Sequence, residues 1–167
     1  MPKLTTLVAA VLFPVSVPWM ASAQVPDPIA APGETLIAML HAEGAQIYDC
    51  KLDSEGKLVW QFREPIATLL MDGKTVGWHY AGPSWELGDG SKVVGRVVAR
   101  APGTTPQDIP WLKLEAVSQA GAGRLTGATT IQRLNTKGGV AAGACEAVGA
   151  LLSVPYSADY VFLKNRS

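Results

Sequence analysis

Lys57-Leu58-Val59-Trp60-Gln61-Phe62-Arg63 alternates along its length, with Leu58, Trp60 and Phe62 on one side and Lys57, Gln61 and Arg63, joined by Val59, on the other. A period of two marks a half-buried strand, because successive side chains of an extended chain point to opposite faces. Outward from this stretch, extended character returns at Lys74–Tyr80, Lys92–Arg100, Trp111–Ser118, Gly127–Leu134 and Tyr156–Leu163. In the last of these Ala158, Tyr160 and Phe162 share a face, while Trp111–Ala120 carries a Leu-Lys-Leu-Glu-Ala run that would also suit a helix. Gly- and Pro-bearing turns separate the segments, and no long amphipathic helix intervenes. This pattern predicts a mainly β fold, an antiparallel β-sandwich or β-barrel with one or two short helices.

Two segments are less regular. Thr35 to Cys50 reads as two apolar runs around Glu43-Gly44, the pattern of a hairpin. Glu64 to Met71 places Ile66, Leu69 and Leu70 after Pro65 and before Asp72-Gly73, which predicts one or two helical turns. No internal repeat or heptad is visible.

Composition limits the classes. The 167 residues include 14 basic and 14 acidic side chains, so no charge excess argues for a nucleic-acid or anionic-membrane partner. Charged residues at 17% and hydrophobic ones at 48% exclude a disordered, solvating chain, and 17 glycines with 12 prolines favour turns over long helices.

The opening residues have the parts of a secretory signal peptide over residues 1–23. Lys3 is followed by an apolar run from Leu4 to Val17 and by Ala21-Ser22-Ala23, with cleavage expected before Gln24. Pro14 and Pro18 interrupt the run, and no later segment reaches the roughly 18 to 20 apolar residues of a span, so no transmembrane segment is expected after cleavage. A flexible Pro-rich leader over residues 24–33 and a single β-rich domain over residues 34–165 complete the expected organisation. Export, to a periplasm or to the medium, makes Cys50 and Cys145 a disulfide in expectation. The alternative, a free thiol nucleophile, would need His41 or His79 as its base.

The densest group of unusual residues is Gly77-Trp78-His79-Tyr80-Ala81-Gly82-Pro83-Ser84-Trp85-Glu86, closed by Asp89-Gly90-Ser91. Trp78, His79, Tyr80, Trp85 and Glu86 form a candidate ligand-binding set, since aromatic faces take sugar rings or apolar ligands and the polar groups fix orientation. His79, Glu86 and Asp89 form a candidate catalytic set, with the imidazole as general base and a carboxylate orienting it. Large aromatics are more often packing groups, and on that reading Trp78, Tyr80 and Trp85 are core residues around a strand and turn with His79 satisfied by a hydrogen bond. His41 and His79 are the only imidazoles, and no metal-ligand spacing surrounds them, so no metal is expected. No P-loop, no G-x-S-x-G elbow and no G-x-G-x-x-G turn appears, so no cofactor is expected. Gln46 and Gln132 interrupt apolar strand patterns, facing solvent, satisfied by neighbouring backbone, or lining a ligand cavity inside a barrel.

An ordered set of motifs resembles a known family. Ala45-Gln46-Ile47-Tyr48-Asp49-Cys50, Gly77 to Glu86, Asp89-Gly90-Ser91, Ile109-Pro110-Trp111-Leu112, Ile131-Gln132-Arg133-Leu134, Thr136-Lys137-Gly138-Gly139 and Pro155-Tyr156-Ser157-Ala158-Asp159-Tyr160 are similar to the domain of unknown function 3455, an exported family of bacteria and fungi. Glu64-Pro65-Ile66-Ala67 and Lys113 depart from its pattern. The resemblance implies an exported domain whose paired cysteines match Cys50 and Cys145, and it brings no established activity. A malate dehydrogenase label on some fungal members finds no dinucleotide fingerprint here. Three functions follow as expectations: a non-enzymatic domain of the cell envelope that binds a small apolar or glycan ligand, a small hydrolase or isomerase built on His79, and a structural envelope module.

Overall fold

The computed structural model describes residues 24–166, so the expected signal peptide over residues 1–23 lies outside the described residues. Eight strands run in chain order: β1 (Thr35–Leu52), β2 (Leu58–Met71), β3 (Lys74–Tyr80), β4 (Ser84–Leu87), β5 (Lys92–Ala101), β6 (Trp111–Ala120), β7 (Thr130–Gly138) and β8 (Leu151–Lys164). Each pairs with its sequence neighbour, and β8 returns to pair antiparallel with β1, so the sheet closes into a barrel. Of the two expected β architectures, the chain adopts the barrel. Closure leaves no edge strand to protect among the described residues.

Alternation decides which side chains fill the interior. On β1, Ala38, Leu40, Ala42 and Gln46 are buried, and on β8 Tyr156, Ala158, Tyr160 and Phe162 are buried. With Leu69 of β2, Trp85 of β4, Val93 of β5, Leu114 of β6 and Ile131 of β7, all of these but Gln46 make one central core. Leu125 and Ala128, in the connection between β6 and β7, are fully buried and close the end of the barrel that also carries the β2–β3 and β4–β5 turns. Asp89 holds that end together. Its carboxylate accepts from the Ser91 hydroxyl and from the backbone N–H groups of Ser91 and Arg124.

Two local expectations are corrected. Glu43-Gly44 is no turn: β1 runs straight through it, with Gly44 opposite Ala67. A Cβ at Gly44 would meet the Ile66 carbonyl, so this glycine permits close approach of strands and does not reverse the chain. Glu64 to Met71 is no helix but the second half of β2, in which Pro65, Ala67 and Leu69 are buried with period two and Ile66 is exposed. Pro65 is tolerated because β2 pairs with β3 only from Ala67 onward, so at Pro65 the ladder is on the β1 side alone. The helical content among the described residues is one 3-10 turn, Asp27–Ile29, in the leader.

That leader is packed, contrary to its expected flexibility. Ile29 is fully buried against the outer faces of β5, β6 and β7, in a small cluster with Ala101, Trp111 and Leu134. The Gln132 side-chain amide donates to the Ile29 carbonyl at 2.6 Å, and the Lys113 ammonium to the Ala30 carbonyl at 2.9 Å. Lys113 and Gln132 are opposite each other in the ladder, so both face the leader from one patch.

Cys50, at the end of β1, is bonded to Cys145 in the β7–β8 connection across a sequence separation of 95. Both halves are buried. The bridge is consistent with an oxidising, non-cytoplasmic environment. No helix among the described residues is long and apolar enough to cross a membrane.

Candidate functional site

The expected constellation from Trp78 to Glu86 occupies β3, β4 and the turn between them, and the pleat divides it between two faces. His79 and Trp85 are opposite one another in the ladder and both point into the barrel, at 2% and 0% exposure. Their rings stack at 4.8 Å and 10°, and Tyr160 and Phe162 of β8 pack edge-on to the indole at 5.2 and 5.8 Å. Trp78, Tyr80 and Glu86 stand on the outer face. There Trp78 is 54% exposed, the Tyr80 hydroxyl donates to Glu86, and the Lys92 ammonium lies 3.8 Å from Glu86 and 5.1 Å from the Tyr80 ring centre. Asp89 sits in the β4–β5 turn, at the barrel end away from the β3–β4 turn. Neither Glu86 nor Asp89 bonds to His79.

The His79 Nδ1–H donates to the Ser84 carbonyl at 2.9 Å, which leaves Nε2 as the ring's acceptor. Burial drives its pKa down to about 3, against a smaller opposing effect of the Ser84 carbonyl. The ring is therefore neutral in the folded protein at any ordinary pH. Linkage gives a sign: the unfolded chain takes up a proton near pH 6.5 that the folded chain refuses, so stability is full above pH 6.5 and falls as pH drops toward 3. At pH 5 the loss amounts to about 2 kcal/mol at the ideal slope of ~1.4 kcal/mol per pH unit. Urea unfolding between pH 7 and pH 5 should show this slope in the wild type and a flatter one in His79→Gln. Equal slopes would mean that His79 takes up its proton in the folded state.

Above the His79–Trp85 stack lies a cavity of about 460 Å³ that opens at the end bearing the β3–β4 turn and the β5–β6 connection. Its floor and walls are apolar, with Trp85, Val97, Leu112 and Leu114 prominent. Ala81, Gly82 and Pro83 of the β3–β4 turn form one rim, Ile109 and Pro110 another, and Tyr48 and Phe62 pack edge to face at 5.8 Å at the mouth. The volume is in the range of small-molecule pockets, roughly 300 to 1,000 Å³.

Several cavity residues lay outside the expected set. Arg133 is inward because it follows Ile131 by two positions on β7. Its Nε and Nη2 donate to the Pro110 carbonyl at 3.0 and 2.8 Å. Arg63 and Arg100 also line the cavity. The period-two signal for Arg133 was present in Ile131-Gln132-Arg133-Leu134, but both faces of β7 are covered, the inner by the core and the outer by the leader, so apolar residues fall on both parities. Gln46 is buried at 2% and lines the cavity, one of the roles expected for it, whereas the Gln132 amide is satisfied by backbone, the Ile29 carbonyl of the leader. Burial raises the pKa of Tyr48, Tyr156 and Tyr160, keeping all three phenols protonated. Among the described residues no group of three or more His, Cys, Asp and Glu side chains is placed to hold a metal ion.

No curated protein and no solved structure matches the chain. The family described as "Protein of unknown function (DUF3455)" matches residues 31–74 and 70–164, which together take in every strand of the barrel. With the matched segments spanning most of the sequence, this chain belongs to the DUF3455 family.

Proposed function

We propose that this protein is a non-enzymatic carrier or sensor of a small apolar ligand, which it holds inside the barrel, and that it works in the periplasm or in the medium after residues 1–23 have directed its export. The observation that carries this reading is the cavity itself: about 460 Å³, apolar on its walls and open at one end of an otherwise packed barrel. His79 and Trp85 serve as its floor. The outer-face residues Trp78, Tyr80 and Glu86 are too far round the pleat to reach the same ligand, and they offer an open aromatic surface of the kind that stacks on a sugar ring.

Proton-transfer chemistry is less favoured. An imidazole held neutral down to about pH 3 is a weak proton acceptor near pH 7, and the carboxylates Glu86 and Asp89 bond elsewhere.

Nile red, an uncharged dye, tests the reading without assuming any head group. Wild type should bind it with a blue-shifted emission in a saturable one-to-one titration. Ala81→Trp places an indole in the mouth at an exposed rim position and should weaken dye binding at least about tenfold while leaving circular dichroism unchanged. An unaltered titration in the blocked variant would move the dye, and the proposed site, out of the barrel.

A further inference from the structure

The charged side chains that line the cavity are all cationic. Three arginines line it, Arg63, Arg100 and Arg133, and no aspartate or glutamate does, in a chain whose basic and acidic residues are equal in number. Arg63 is neutralised at the mouth by Glu64 at 3.0 Å and Asp49 at 3.7 Å. Arg100 and Arg133 form no ion pair among the described residues. Two further donors are unused: the Gln46 side-chain N–H₂ and the Trp85 indole N–H are buried without a partner, and both residues line the cavity. A buried donor left unmade is costly, and in native proteins such a group usually meets a partner.

These donors are grouped. Arg133, Gln46 and Tyr160 all line the cavity, and the Tyr160 hydroxyl is 3.5 Å from that of Tyr156. The lining therefore brings a guanidinium, a carboxamide and a neutral phenol together beside an apolar floor. Among the described residues nothing ionised and negative lines the cavity to satisfy them.

We propose that the ligand is a small organic acid, its carboxylate at Arg133 and Gln46 and its apolar body against Trp85, Leu112 and Leu114. This rests on the reading of the cavity as a binding site and adds the ligand's chemical class. A guanidinium whose Nε and Nη2 are tied to a carbonyl keeps its remaining N–H groups for an acceptor, and a carboxylate matches that planar donor edge. Arg100, exposed at the mouth, draws the anion in.

Decanoate, 1-decanol and decyltrimethylammonium share a chain and differ in the head, so their competition against Nile red separates the two claims. Decanoate should bind about tenfold or more tightly than decanol, and the cation more weakly than either. Arg133→Gln should erase most of the decanoate preference with decanol affinity unchanged, and Arg100→Gln should reduce it in smaller part. Should Arg133→Gln fail to fold, Arg100→Gln and the wild-type comparison still decide, since Arg100 is exposed and forms no ion pair among the described residues. Equal affinities for decanoate and decanol would overturn the acid and leave the binding reading standing. A preference that survives both substitutions would overturn the placement of the head group. No binding of the dye or of any of the three would overturn both.

Discussion

Replacing Cys50 and Cys145 together with serine is expected to lower the unfolding free energy by about 4 to 5 kcal/mol. Chain entropy carries the estimate: a cross-link over a sequence separation of 95 removes from the unfolded ensemble an entropy that grows with the logarithm of the loop. The loop runs from the end of β1, through β2 to β7, to the β7–β8 connection, so its release frees nearly the whole barrel in the unfolded state. The bridge also lies at the open end of the barrel, and both half-cystines are buried. For a chain of this size the change corresponds to a fall in Tm of roughly 10 to 15 °C. Denaturant unfolding of the double serine variant, with wild type kept oxidised, measures it directly, and a loss below about 1 kcal/mol would show that the unfolded chain is already held compact without the bridge.

The second large effect separates two tryptophans seven residues apart. Trp85→Ala removes a side chain with no exposed surface, stacked on His79 and packed by Tyr160 and Phe162, and should cost about 3 to 5 kcal/mol through lost burial and the void left behind. Trp78→Ala, on the outer face beside Thr68 and Glu86, should cost under about 1 kcal/mol. Equilibrium unfolding of the two variants side by side is the measurement. Near-equal costs would mean that the alternation along β3 and β4 is not as described. The same pair bears on ligand binding, because Trp85→Ala widens the cavity floor whereas Trp78→Ala leaves it untouched.

The division of that motif shows what sequence could and could not disclose. Nearness in the chain made Trp78, His79, Tyr80, Trp85 and Glu86 look like one group. In a strand, adjacent residues are the ones kept apart, since the pleat sends them to opposite faces. His79 meets Trp85 because the β3–β4 turn places them opposite one another, and each meets Tyr160 only because β8 crosses the interior wall about 80 residues later. The β4 strand itself, four residues between Pro83 and Gly88, is too short to show a period and stood outside the expected strands.

Misread Gly44 and Pro65 have a common cause. Both residue types usually punctuate elements, but here the glycine admits a neighbouring backbone and the proline lies where β2 has a ladder on one side only. Those reasons exist only once strands are paired.

By itself the sequence determined the strand-rich class, most of the strand positions, the Cys50–Cys145 bond and the family, because period-two burial, turn residues and cysteine usage are local or compositional signals. The tertiary structure alone decided that the sheet closes on itself, that the leader is a packed element, and that Arg133, Gln46 and His79 look into one cavity. Closure and cavity depend on which strands meet across the interior, and those contacts join residues whose separation along the chain carries no periodic trace.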